Sequence, residues 1–288
     1  MLQSPSAYLI ALGRQVLGRY AKLPGCVCAA ITGSAAEGLA DEYSDLDTTV
    51  YYSTLPPEAE IRAIREQVGG GPYTWNAGTH AEGEFGEGFR IRGVDCQIGH
   101  TTVARWEEDL GRVLRAEEIA SPLHKAMSGT LVSIAVHGAE VLEGWKARIR
   151  DYPDTLARAM VKHHLSFFPV WGVIDRLERR DADLWLKQIM VEASFNLLGV
   201  LAGLNRKYFT KFQYKRSGAF VRSLIIAPER FEARLESLIL LPAREAAAEL
   251  KKLVSEVVVL VERHMPEVDG ALVRKGLGRQ DEPWVRCG

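Results

Sequence analysis

The fold prediction starts from residues 31–50, which read ITGSAAEGLADEYSDLDTTV. An apolar strand runs into Gly33-Ser34, a short helix can follow, and a second strand then begins with two carboxylates. Residues two apart on a strand share a face, so Asp45 and Asp47 point the same way and can both reach one divalent cation. Oxygen-rich ligation of this kind suits Mg²⁺, so the stretch predicts a metal site at the start of a strand.

Phosphate groups are the expected partners of the loop before these carboxylates. Gly33 lets the backbone pass close to a bulky anion, and the Ser34 hydroxyl and the free amides of the following helix start can hold phosphate oxygens. A third carboxylate would complete a two-metal site, in which one ion binds a triphosphate and the other activates the attacking hydroxyl. Asp95 is the best candidate, because strand alternation over residues 92–98 places Asp95 and Gln97 on one face.

The flanking sequence predicts an α+β protein in two parts. Up to Thr102, short apolar runs punctuated by Gly and Pro indicate a mixed β-sheet flanked by helices, and beyond Thr102 a period near 3.6 predicts helices only. We therefore expect a catalytic domain over residues 1–150 and an all-α helical-bundle domain over residues 151–288. Predicted strands cover residues 27–32, 46–52, 73–75, 89–92 and 94–99, and predicted helices cover about 1–20, 58–68, 103–117, 122–132, 155–179, 182–204, 228–240 and 242–264.

Composition limits the classes of partner. The 288 residues include 36 basic and 37 acidic ones, a formal net charge of −1, so no general positive field is available to hold a long nucleic acid. Four cysteines without CxxC spacing favour a reducing cytoplasm over a disulfide framework. The N-terminal segment lacks the unbroken apolar core of a signal peptide, and no uninterrupted apolar run approaches a membrane span. We expect a cytoplasmic protein with no membrane partner, and the sequence leaves its oligomeric state open.

The pattern Gly33-Ser34, then Gly38, then Ser44 to Asp47, with a later strand aspartate, resembles the nucleotidyltransferase superfamily of DNA polymerase beta. The motif match covers about residues 31–95, and the helical part matches only in general character. Within the superfamily, one small catalytic domain followed by a helical domain resembles the aminoglycoside and lincosamide nucleotidyltransferases and their uncharacterised relatives.

The resemblance implies a metal centre bound by Asp45, Asp47 and Asp95, with two Mg²⁺ ions, and a nucleotide site at the Gly-Ser loop that includes Ser44. It also implies transfer of a nucleoside monophosphate, AMP from ATP or the equivalent from another nucleoside triphosphate, to a hydroxyl of a small-molecule acceptor, with release of pyrophosphate. An antibiotic acceptor would make resistance the biological role. The alternatives are a protein- or RNA-directed nucleotidyltransferase of the toxin–antitoxin type, and a nucleotide-binding protein without turnover.

A second candidate region is the aromatic and basic cluster over residues 205–216, which follows a long apolar helix. Lys211 or Lys215 could bind the triphosphate, as a helical-domain lysine does in the similar antibiotic-modifying enzymes, and Tyr208 could lie near the base. An ordinary interhelical loop with its aromatic rings packed inward explains the same residues equally well.

The catalytic base is not fixed by the sequence. Asp95 is one candidate, and Glu82, Glu84 and Glu87 are others, because they lie in the glycine-rich run 78–88, which we expect to be a hairpin connection. Exposed turn charges are the simpler interpretation of these glutamates.

Overall fold

The computed structural model of the protein describes residues 3–282 and 284. The described chain divides into two compact units. The first comprises Met1–Leu114 and Ala126–Asp151, and the second comprises Arg115–Lys125 and Tyr152–Gly288.

The first unit is built on a mixed sheet. Within the described residues this sheet has six strands in the order β3-β4-β5-β2-β1-β6. Strands β2 and β5 are parallel, and the other neighbouring pairs are antiparallel. The strands are β1 (Cys26–Ile31), β2 (Leu46–Tyr52), β3 (Trp75–Thr79), β4 (Glu84–Ile91), β5 (Val94–Thr102) and β6 (Ile134–His137).

Helices flank the sheet on both faces. They are α1 (Pro5–Tyr20), α2 (Gly33–Ala36), α3 (Glu58–Gln67), α4 (Val103–Leu114), α5 (Leu123–Val132) and α6 (Ala139–Arg150). Helix α1 begins at Ser4, whose side chain accepts a hydrogen bond from the Ala7 N–H, and Pro5 occupies the first turn, where no N–H is needed.

The main core of this unit lies between α1 and one face of the sheet. Alternate residues of the two parallel strands, such as Leu46 and Val50 on β2 and Ile98 on β5, are fully buried there against Leu17 of α1. Burial of each such side chain stabilises the fold by about 1.5–3 kcal/mol. Because side chains alternate along a strand, the same packing directs the intervening residues of β2 and β5 to the opposite face.

Helices α4 and α6 pack against the opposite face at one end. There Tyr51 packs against Trp106 of α4, at 5.6 Å between ring centroids, and against Trp145 of α6, at 4.7 Å. The other end of the same face carries Asp47, which is partly buried.

The second unit is helical. Its helices are α7 (Asp154–His164), α8 (Ile174–Glu178), α9 (Asp183–Leu204), α10 (Ser217–Arg222), α11 (Phe231–Leu240), α12 (Ala243–His264) and α13 (Ala271–Leu277). Helix α9 packs against α7 and α12 at the centre of the unit. By length and composition α9 could cross a membrane, but most of its apolar window is buried, as in the core helix of a soluble globular protein. A mixed sheet with flanking helices followed by a helical region confirms the predicted fold class.

Three local predictions were wrong. Strand β6 and helix α6 lie where no element was predicted, and β6 has only four residues, too few to show a period. The helix predicted over 155–179 is interrupted after α7, near Pro169, which lacks the N–H that a helix interior requires. The run 78–88 is not a simple connection, because β4 already begins at Glu84.

Candidate functional site

Gly33, the first residue of α2, lies directly against Asp47 of β2. The φ angle of Gly33 is 65°, in the left-handed region that favours glycine. A Cβ atom at this position would lie 2.1 Å from Oδ2 of Asp47. The Thr32 N–H donates to the Asp47 carbonyl at 2.9 Å, which fixes the two segments side by side. Glycine is therefore required at position 33 for the Asp47 carboxylate to lie against the loop backbone.

The serines of this segment differ in their surroundings. Ser34 is partly buried in the short helix α2, and its carbonyl accepts from the Leu39 N–H at 2.9 Å. Ser44 is tied into the loop before β2, because its hydroxyl donates to Asp41 Oδ1 and accepts from the Asp41 N–H, both at 3.0 Å. The structure thus gives the Ser44 hydroxyl a loop-stabilising role, and its nucleotide contact stays a prediction.

Asp45 is held by the neighbouring parallel strand. Gln97 Nε2 donates to Asp45 Oδ2 at 2.6 Å, and Gln97 is the register partner of Asp47. Asp45, Asp47 and Gln97 therefore share one face of the sheet, as strand alternation predicts for the two carboxylates. The sequence pattern placed Gln97 on one face of its strand with Asp95 but gave it no role, because the pairing of this strand with β2 is not visible in a single strand pattern.

Asp95 also lies at this end of β5, but it is engaged by Arg90. Across the β4–β5 hairpin, Arg90 Nε donates to Asp95 Oδ1 at 2.7 Å and Nη2 donates to Oδ2 at 3.2 Å. These hydrogen bonds hold the pKa of Asp95 below its ordinary value. Over residues 3–282 and 284, no three His, Cys, Asp or Glu side chains are grouped so that they could hold a metal ion. The three-carboxylate centre stays a prediction that requires Asp95 to leave Arg90.

The burial of Glu87 contradicts its interpretation as an exposed turn charge. Its side chain is fully buried on the core face of β4, where it accepts from Tyr20 Oη at 2.9 Å and from Arg65 Nη1 at 3.4 Å. His100 Nε2 lies 3.1 Å from the same carboxylate, and burial lowers the pKa of His100. Glu87 is thus part of a buried polar network on the face of the sheet opposite Asp45. It does not reach the face that carries Asp45, where a catalytic base would be needed.

The other two glutamates match the simpler interpretation better. Glu84 forms an ion pair with Arg105 at 3.5 Å, and Glu82 accepts from the Thr79 hydroxyl at 2.9 Å in an exposed turn.

The cluster over residues 205–216 is largely structural within the helical unit. Tyr208 is 5% exposed and packs against Tyr152 and His124, with ring centroids 4.8 Å and 5.6 Å apart. This burial favours inward packing over a position beside a base. Lys211 and Lys215 are exposed on a 3-10 turn, so phosphate binding by either lysine stays a prediction.

A crystal structure of a nucleotidyltransferase-like protein from Exiguobacterium sibiricum is similar to this chain, with 12% sequence identity, a TM-score of 0.41, and coverage of 95% of this chain and 81% of that chain. No protein-family model matches the chain, and the comparison with curated proteins gives no match. At this identity and TM-score the similarity carries no functional argument.

Proposed function

We propose that this protein is a Mg²⁺-dependent nucleotidyltransferase, which transfers a nucleoside monophosphate from ATP or another nucleoside triphosphate to a hydroxyl of a small-molecule acceptor. The observation that carries the proposal is the position of the Asp47 carboxylate, against the Gly33 backbone and on one face with Asp45. This arrangement supports the proposal, because phosphate oxygens at the Gly33 backbone would lie beside two carboxylates able to bind the same metal ion.

The donor set fits Mg²⁺. Asp45 and Asp47 supply carboxylate oxygens on one face, and the absence of a side chain on Gly33 leaves the Asp47 carboxylate beside the loop. Bound there, Mg²⁺ would neutralise triphosphate charge and favour departure of pyrophosphate. A second ion would need Asp95 as well, once that carboxylate has separated from Arg90.

The residues around these carboxylates would bind and orient the substrates. The Ser34 hydroxyl and the loop amides would bind phosphate oxygens, and Gln97 would hold Asp45 in place. The acceptor oxygen would form a bond to the α-phosphorus as the bond from that phosphorus to the bridging oxygen breaks. Pyrophosphate leaves with that bridging oxygen, and the acceptor proton passes to a carboxylate, for which Asp95 is the candidate once it has separated from Arg90.

A second candidate function is triphosphate binding without turnover. The bidentate bridge between Arg90 and Asp95 favours it, because a carboxylate that stays paired with a guanidinium is less available to bind a metal or accept a proton.

Calorimetry with Mg²⁺ and the non-hydrolysable analogue AMPCPP tests the binding site. Asp45→Asn and Asp47→Asn should each weaken binding about ten-fold to a hundred-fold, because each removes a charge-assisted ligand. Glu42→Gln is the matched control, since it removes an exposed carboxylate of the same loop and should bind as wild type does. Unchanged affinity in both Asn variants, or no binding by the wild type, would refute the proposal.

Pyrophosphate release with a panel of hydroxylated acceptors separates the two candidate functions. Turnover that is lost in Asp47→Asn identifies a transferase. Tight binding of the analogue by the wild type, with no release of pyrophosphate from ATP for any acceptor, identifies a binding protein.

A further inference from the structure

Trp75 lies flat on β4 beside the candidate site. It is the first residue of the edge strand β3, pairs with Gly88 and is 40% exposed. A Cβ atom on Gly88 would lie 2.2 Å from the indole Nε1, and one on Gly86 would lie 2.8 Å from the six-membered ring. Any side chain at position 86 or 88 would prevent the indole from lying on the strand. The position of the indole therefore explains why both residues are glycine.

The indole shares a face with Asp45 and Asp47 and a row with Asp47. The strand registers pair Trp75 with Gly88, Gly88 with Gln97, and Gln97 with Asp47, which forms one row across four strands. Strands in a sheet lie about 4.8 Å apart, so an indole above β4 is about 10 Å across the sheet from Asp47 on β2. Gln97 lies between them in this row, and the adjacent row of the same face contains Gly99, which adds no side chain to this surface.

The strand order separates this surface from the phosphate loop. Strand β1, which leads into Gly33-Ser34, lies on one side of β2, and β5, β4 and β3 lie on the other. Trp75 and the Gly-Ser loop thus flank the Asp45 and Asp47 pair from opposite sides. If the loop binds the triphosphate, the surface towards Trp75 is the side from which the acceptor approaches.

We propose that Trp75 binds the acceptor, by stacking on the apolar face of a hydroxylated ring that lies about 10 Å from the reacting hydroxyl. The inference rests on the proposed function and adds to it an acceptor-binding residue, which would select compounds with at least one saturated, polyhydroxylated ring. The indole offers an apolar face and an N–H donor, which suits the alternating C–H and O–H groups of such a ring. Gln97 and the Arg90–Asp95 pair add hydrogen-bonding groups to the same face.

The indole N–H resonance of Trp75 is a direct readout of this contact. In the full chain labelled with ¹⁵N-tryptophan, Trp75→Phe identifies the resonance among those of the six tryptophans. Methyl β-maltoside or kanamycin A, which contain hydroxylated rings, should shift it, and sorbitol, an acyclic polyol, should not. A shift caused by Mg²⁺ with AMPCPP alone would make Trp75 a base-stacking residue, and no shift with either ring compound would also overturn the proposal.

Affinity for the ring compound gives a second, independent test. Trp75→Ala should weaken binding about ten-fold, equivalent to about 1.4 kcal/mol, and Trp75→Phe should retain most of the affinity. Gly88→Ala should weaken binding similarly, because its methyl group displaces the indole while Trp75 remains. Trp185→Ala is the matched control, since Trp185 is 45% exposed and lies in the helical unit. Unchanged ring affinity in both Trp75→Ala and Gly88→Ala would refute the inference.

Nucleotide binding distinguishes the failure of this inference from the failure of the proposed function. All four variants should bind Mg²⁺ with AMPCPP as the wild type does. If the wild type binds the analogue and the Trp75 variants retain ring affinity, only the stacking role is wrong. If the wild type does not bind the analogue, the nucleotidyltransferase proposal itself fails.

Discussion

Gly33→Ala tests the central geometric feature of the candidate site. The substitution places a methyl group 2.1 Å from Asp47 Oδ2, whereas Cβ atoms in proteins essentially never approach a neighbouring atom within 3.0 Å. The Asp47 carboxylate must therefore move by about 1 Å, a displacement large enough to cost about a hundred-fold in rate. The φ angle of 65° adds strain of about 1–2 kcal/mol for a residue with a side chain.

Gly38→Ala is the matched control for backbone strain. Gly38 has a φ angle of 74°, and a Cβ atom there would meet no atom within 4 Å. Both variants should lose similar stability, a decrease in melting temperature of roughly 2–8 °C for a chain of this size. Gly33→Ala alone should lose binding of Mg²⁺ with AMPCPP, measured by calorimetry, and pyrophosphate release. Equal binding in the two variants would show that the position of the Asp47 carboxylate beside Gly33 is not required for nucleotide binding. The proposed role of the Gly33-Ser34 loop would then be wrong.

Three further predictions concern single side chains. Asp95→Asn should retain AMPCPP binding but lose pyrophosphate release, and parallel loss of both would place Asp95 in the nucleotide site. Arg90→Gln should change the free energy of unfolding in urea by less than about 1 kcal/mol, because its ion pair with Asp95 is exposed, and a larger loss would reveal a structural role. The pKa of His164 is lowered to about 4, chiefly by burial, so protonation favours the unfolded state. Stability should thus be complete above the ordinary pKa near 6.5 and fall by about 3 kcal/mol as the pH decreases to about 4. In melting curves His164→Gln should flatten this pH dependence and the exposed His163→Gln should keep it, whereas an unchanged slope in His164→Gln would contradict the assignment.

Local patterns were sufficient for the parts of the sheet that carry the carboxylates. A short apolar run between segments rich in Gly and Pro predicted β2 with its observed bounds, Leu46–Tyr52. Strand alternation also placed Asp45 with Asp47 on one face of a strand and Asp95 with Gln97 on one face of another. Local patterns failed in two places. They did not reveal β6, an edge strand of only four residues, and they predicted a continuous helix near Pro169, where an apolar period continues through a segment that does not form a helix.

Local sequence patterns do not reveal contacts between residues that are distant in sequence. Glu87 looked like a turn charge because its neighbours are glycines, but it is buried with Tyr20, which is 67 residues away, and with Arg65, 22 residues away. The pairing of Asp95 with Arg90 depends on the hairpin register, which a single strand pattern does not reveal. The glycines 86 and 88 were likewise taken for a connection, because the indole that covers them comes from another strand.

The parallel pairing of β2 with β5 affects how the protein folds. The hydrogen bond from Gln97 to Asp45 joins residues 52 positions apart, and the intervening chain contains α3 and the β3–β4 hairpin. Closing a loop of this length has an entropic cost that is recovered only when the long-range contacts form, which slows folding. Recovery of nucleotide affinity during refolding should therefore follow closure of the central strands, later than the gain of helical signal. A ligand that spans both strands would in turn hold the folded sheet closed by mass action.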